Sequence, residues 1–163
     1  MTGSGGEPQA RVLDLLRRRG QTLAVAESLT GGMLAARLVD VPGASAAFRG
    51  GVVAYATDLK HRLLGVDPDL LDRCGPVDAD VAGALADGVR DRLGADWGAA
   101  TTGVAGPEPQ GGRVPGTVYV AVSGPPGRWV VHRDLPGSRS EVRAATVTEV
   151  LHLLLFALGE QEP

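Results

Sequence analysis

Thr22-Leu23-Ala24-Val25-Ala26-Glu27-Ser28-Leu29-Thr30-Gly31-Gly32 passes from an apolar run into a polar, glycine-bearing turn, the pattern of a strand feeding a helix. Residues 22–26 are an apolar run of strand length, broken by Glu27 and Ser28; the chain then turns and predicts a helix over 30–39, closed by Val41-Pro42-Gly43. Before it, Val12, Leu13, Leu15 and Leu16 give residues 11–19 a helical period that stops at Gly20. After it, residues 48–55 read as a second buried strand whose Gly50 and Gly51 suggest a bulge or a close backbone contact. Thr57 or Asp58 is placed to cap a helix over 59–64, putting Lys60 in its first turn, and Asp78 or Asp80 to start another in which Val81, Ala82, Leu85, Val89 and Leu93 recur.

Residues 97–102 predict a third strand, leading into the glycine-rich loop 103–112. Two further strands, 117–123 and 128–135, are joined by Gly124-Pro125-Pro126-Gly127, read as a hairpin with a four-residue connection. Ser138-Arg139-Ser140-Glu141 has capping-box spacing and should open a last helix running to about 158, whose end is apolar nearly all round and therefore buried in a core or between subunits. The alternation of helices and strands predicts a single α/β domain over 10–160. It is expected to be a three-layer α/β/α sandwich around a mixed, mostly parallel sheet, preceded by a flexible tail over 1–9.

Bulk properties remove several function classes. The 163 residues suffice for one self-stabilised core, and 44% apolar with 21% charged residues is ordinary globular usage. A net charge of −3 gives no sign of the basic face that nucleic acid demands. No apolar run approaches the roughly 20 residues of a membrane span, and no signal peptide opens the chain, so a cytoplasmic location with no membrane partner is expected. Cys74 is the only cysteine and cannot form an internal bridge, which suits a reducing compartment; with three scattered histidines it makes no metal-ligand cluster, so no metal and no cofactor are expected.

In open α/β sheets ligands collect at the carboxyl ends of the strands. Ser28, Tyr55, Thr102 with its glycine loop, and Arg139 all fall there, with Lys60 one turn beyond Tyr55. A serine hydroxyl needs a base within hydrogen-bond reach. His61, His132 and His152 are each badly placed, so Lys60 is preferred, with Tyr55 as a relay, provided burial or neighbouring cations lower the lysine pKa. Backbone N–H groups near Gly31 and Gly32 are the expected oxyanion donors. Each candidate has a plainer structural reading: Ser28 or Thr30 as a helix cap, which spacing alone favours, Lys60 as a surface lysine beside Asp58, Tyr55 as a core tyrosine, and Arg139 as a helix-start charge.

The ordered set 26–32, Gly50-Gly51-Val52-Val53-Ala54-Tyr55 with Lys60 and Leu64-Gly65-Val66, Thr102-Gly103-Val104-Ala105-Gly106-Pro107, and Gly116-Thr117-Val118-Tyr119-Val120-Ala121 resembles the CinA C-terminal domain family over residues 10–158. The resemblance implies a nicotinamide-nucleotide amidase: a hydrolase converting nicotinamide mononucleotide to nicotinic acid mononucleotide and ammonia, without metal. The family's nucleophile falls on Ser28, its tyrosine on Tyr55 and its lysine on Lys60, and Thr102 and Arg139 are implied to bind substrate; Thr30, Gly31 and Gly32 at the turn and Gly103 in the glycine loop are expected to join them there. The partner implied is a small-molecule nucleotide; a second copy of the chain in a homodimer is expected from the apolar circumference of the last helix. Leu29 stands where the family usually has cysteine, Gly137-Ser138-Arg139 where it has Gly-Asp-Arg, and the loop 108–115 is shorter by a residue. The alternatives are a nucleotide-binding regulatory module without turnover and an amidase for another small amide.

Overall fold

The computed structural model describes residues 6–160. The first strand, β1 (Leu23–Glu27), is buried at every residue, which only a strand with neighbours on both edges and helices on both faces achieves. It runs parallel to β2 (Phe48–Val53) on one edge and to β3 (Trp97–Gly103) on the other. Helix α1 (Pro8–Arg19) precedes β1 and ends on Gly20, whose φ of 63° lets its N–H turn back to close the last turn. Pro8 and Gln9, expected in the tail, belong to this helix, while residues 1–5 lie outside those described.

The chain continues through α2 (Met33–Val39), α3 (Thr57–Leu64), α4 (Pro68–Cys74) and α5 (Ala79–Arg92). Asp78 caps α5 by accepting the N–H of Asp80 at 2.8 Å. Successive strand residues face opposite layers. Leu23, Val25 and Ala99 pack against α1 and α2, whereas Ala24, Ala26 and Ala100 face α3 to α5. The second face is small because α5 lies close: a Cβ at Gly98 would come within 2.1 Å of the Ala86 carbonyl oxygen.

Strand β4 (Thr117–Gly124) pairs antiparallel with β3, and β5 (Gly127–Asp134) pairs antiparallel with β4, giving the order β2-β1-β3-β4-β5. The sheet is mixed, as expected: two of its pairings are parallel and two antiparallel, so β4 alone runs against the other four strands. The β4–β5 connection is tighter than expected, because both glycines join the strands and only Pro125 and Pro126 turn. The last helix, α6 (Arg139–Ala157), begins at the expected capping box, with Ser138 and Glu141 bonded reciprocally. It lies on the α1–α2 face, burying Leu151, Leu153, Leu154 and Leu155 and leaving His152 and Phe156 exposed. Among the described residues no helix is long and apolar enough to cross a membrane.

Candidate active site

The carboxyl end of β1 is fastened on both sides. The Glu27 carbonyl accepts the N–H of Ala54 at 2.9 Å, and the N–H of Ser28 donates to the Thr101 carbonyl at 3.1 Å. Beyond it the chain turns through residues 28–32, where Gly31 and Gly32 take φ values of 58° and 106° that a side chain would strain. These conformations delay α2 to Met33, three residues later than spacing predicts. Neither Ser28 nor Thr30 caps that helix. Its first free donors, the N–H groups of Leu34 and Ala35, go instead to the two carboxylate oxygens of Glu27 at 2.8 and 3.1 Å. Glu27 is 2% exposed, so this is a buried carboxylate paired with the positive end of a helix.

Three residues expected to contact substrate lie outside the cavity in front of Ser28. Thr30 is fully buried and its hydroxyl bonds to that of Thr101 at 2.8 Å; the Gly31 N–H is taken by the Ser28 carbonyl at 3.1 Å; and Thr30, Gly31 and Gly32 do not line the cavity in front of Ser28. The Ser28 hydroxyl, released from any capping duty, meets Lys60.

Lys60 lies in α3, which starts at Thr57 without a side-chain cap, so neither Thr57 nor Asp58 performs the capping expected of it. Asp58 pairs with Arg62 at 3.5 Å and not with Lys60. The lysine is 1% exposed, and its Nζ lies 3.0 Å from Ser28 Oγ, 2.7 Å from the Ala54 carbonyl and 3.3 Å from the Tyr55 carbonyl. With no carboxylate among these partners, burial alone lowers its pKa from the ordinary 10.5 to about 8. Three acceptors suit the ammonium. The neutral amine suits them equally, since two N–H groups reach the carbonyls and the lone pair then faces the serine hydroxyl.

In front of this pair opens a cavity of about 370 Å³, lined among others by Tyr55, Thr57, Val77, Gly103, Glu108 and Arg139. That is the size of a small-ligand pocket. Thr102 contributes at the floor, where its hydroxyl donates to the Pro76 carbonyl at 2.7 Å and ties β3 to the segment before α5. Tyr55 stands on the rim, 60% exposed. Its hydroxyl accepts from Arg139 Nη2 at 3.2 Å, while Arg139 Nη1 donates to the Gly106 carbonyl at 2.6 Å. The Tyr55 hydroxyl makes no hydrogen bond to Ser28 or Lys60 among the described residues; its backbone carbonyl does the holding, so the expected proton relay lacks its contacts. The histidines are elsewhere: Nδ1 of His61 lies at the Val66 carbonyl, and His132 pairs with Asp134. Among the described residues no group of His, Cys, Asp or Glu is arranged to hold a metal.

Spacing missed Glu27, Thr101 and Arg143. Glu27 had a signal, a lone carboxylate at the end of a fully apolar strand run, which only a buried partner can satisfy. Arg143, one helical turn after Arg139, donates to the Leu29 carbonyl at 2.8 Å and the Thr30 carbonyl at 3.3 Å.

Fold and cavity together define an α/β domain that presents a buried serine–lysine pair at the carboxyl ends of its parallel strands. The model of the CinA C-terminal domain matches residues 7–158, and the chain belongs to that family. It is 52% identical over 152 residues to a CinA-like protein of Frankia casuarinae, covering 93% of this chain and 35% of that protein. It is 46% identical over 155 residues to a putative competence-damage inducible protein of Desulforudis audaxviator, covering 94% and 38%. The chain thus spans little more than a third of the length of these curated relatives. Among solved structures, the competence or damage-inducible protein from Enterobacter asburiae superposes with a TM-score of 0.91 at 30% identity, covering 96% of this chain and 99% of that one. A CinA superfamily protein from Klebsiella pneumoniae gives 0.90 at 30%, covering 94% and 97%.

Proposed function

We propose that this domain is a serine amidohydrolase that converts nicotinamide mononucleotide to nicotinic acid mononucleotide and ammonia. The observation that carries the reading is the 3.0 Å approach of a buried, acid-free Lys60 to Ser28 Oγ. A lysine with a pKa of about 8 is neutral in a useful fraction of molecules near neutral pH, and is then a base. Membership of the family supports the substrate, and a cavity of about 370 Å³ is in the range that small ligands occupy.

Neutral Lys60 takes the hydroxyl proton as Ser28 Oγ bonds to the carboxamide carbon, and the carbonyl electron pair moves onto oxygen. When the tetrahedral intermediate collapses, the C–N bond breaks and the lysine ammonium returns its proton to the departing nitrogen as ammonia. Lys60, neutral again, deprotonates a water that attacks the ester, releasing the carboxylic acid and restoring Ser28. Arg139 and the glycine-rich loop 103–112 hold the remainder of the nucleotide, the guanidinium offering its fork to phosphate oxygens.

The test is ammonia release from nicotinamide mononucleotide by wild type, Ser28→Ala and Lys60→Ala. Loss in both variants is expected, and equal rates in all three would refute the reading.

A further inference from the structure

The intermediate needs a hydrogen-bond donor for its oxyanion, and the backbone donors of the turn that carries Ser28 can be counted. The N–H of Ser28 is spent on Thr101, that of Gly31 on the Ser28 carbonyl, that of Met33 on the Thr30 carbonyl, and those of Leu34 and Ala35 on Glu27. The start of α2 is therefore closed to substrate by its own buried carboxylate. Within 28–35 the N–H groups of Leu29, Thr30 and Gly32 are left without a partner among the described residues, and of these three residues only Leu29 lines the cavity.

We infer that the Leu29 N–H is the oxyanion donor and that Arg143 is the positioning residue that aims it. In a trans peptide the C=O and the following N–H point in opposite directions. The Ser28 carbonyl is drawn to the Gly31 N–H, so the Leu29 N–H points the other way. The Gly31 N–H in turn lies opposite the Thr30 carbonyl, which Arg143 grips together with that of Leu29. One guanidinium thus sets the peptide planes that end at the Leu29 N–H. The Leu29 side chain, 5% exposed, adds a second anchor by packing with Ala105, Val118 and Val142, the last beside Arg143 on α6. The loose member is Gly31, where a Cβ would lie 3.3 Å from Arg143 Nη2.

The inference rests on the serine-nucleophile reading of the same site, so its test carries a readout independent of substrate. Arg143→Ala and Arg143→Lys are compared with wild type for kcat and KM of ammonia release. In parallel, mass spectrometry follows the rate at which phenylmethylsulfonyl fluoride labels Ser28, where the hydroxyl proton passes to Lys60, an Oγ–S bond forms, the S–F bond breaks to release fluoride and a sulfonyl oxygen occupies the oxyanion position. Deleting an oxyanion donor outright costs about 100- to 1000-fold; misaiming it should cost about 10- to 100-fold in kcat and labelling rate, with KM within about threefold. Millimolar guanidinium should restore part of the loss in Arg143→Ala. If that variant does not fold, Arg143→Lys decides, since one ammonium cannot bridge two carbonyls with the same fork. A folded variant that labels and turns over at the wild-type rate overturns the role of Arg143. Wild type labelled at Ser28 but releasing no ammonia would sink the substrate assignment alone, with labelling still deciding on Arg143. No labelling and no ammonia would remove the nucleophile and this inference together.

Discussion

The floor and the rim of the cavity are built in opposite ways. On the floor Ser28, Lys60 and Thr102 are 8%, 1% and 1% exposed, and the amine of Lys60 and the hydroxyl of Thr102 are held largely by backbone carbonyls at the ends of strands and helices. On the rim Tyr55 is 60% exposed and Arg139 reaches it side chain to side chain. Backbone partners move only if the sheet moves, whereas long exposed side chains pay rotamer entropy to stay in one place and rearrange easily. The Ser28–Lys60 geometry is therefore fixed before any ligand arrives, while the rim is left adjustable. Changes on the floor should appear in kcat, those on the rim in KM.

The largest effect should come from Lys60→Met, which keeps the volume and removes the base. A loss of about 100- to 10,000-fold in kcat is expected, in the range of a positioned general base. The wild-type rate should climb with pH and level off above about 8, as the amine loses its proton. Stability supplies an independent check. Because the folded pKa is depressed, the unfolded chain holds a proton that the native state has lost between about 8 and 10.5, so the wild type should gain stability with rising pH in that window. The slope is at most about 1.4 kcal/mol per pH unit, and denaturant midpoints of wild type and Lys60→Met, compared from pH 7 to 10, would measure it. Parallel midpoints across that range would mean that the lysine is not held as described.

A smaller effect is expected from Arg139→Met, which removes the bonds to the Gly106 carbonyl and the Tyr55 hydroxyl. KM should rise about 10- to 100-fold with kcat within about threefold, the pattern of lost uniform binding. Steady-state kinetics with nicotinamide mononucleotide would show it. A fall in kcat matching that of Lys60→Met would erase the division between floor and rim.

The same contrast explains what the sequence made legible. The strand, turn and helix at 22–39 could be read because apolar periodicity and paired glycines act locally, and the capping box at Ser138 because its partner is three residues away. The direction of β4 was also encoded: residues 104–116 hold no helical period, and a parallel strand needs a crossover long enough to return. Whether Ser28 was cap or nucleophile could not be read from spacing, since both roles ask for a serine between strand and helix. What removes the cap reading is Glu27, which takes the helix donors from a buried position. Arg143 left no signal at all, because its partners are backbone carbonyls that every residue carries.

Tyr55→Phe should give the smallest change, and it separates two readings of one residue. A tyrosine relaying the proton between Ser28 and Lys60 would cost roughly as much as other acid–base groups when its hydroxyl is removed, about 100-fold or more in kcat. The structure gives Tyr55 two separate attachments: its carbonyl, 3.3 Å from Lys60 Nζ, and its hydroxyl, 3.2 Å from Arg139. Phenylalanine keeps the first and loses the second. The expected result is therefore a kcat within about threefold of wild type and a KM raised by less than in Arg139→Met, because Arg139 retains its bond to the Gly106 carbonyl. A large fall in kcat at unchanged KM would instead require the hydroxyl to leave the rim and join the floor once substrate is bound. The wall that looks adjustable would then be part of the chemistry.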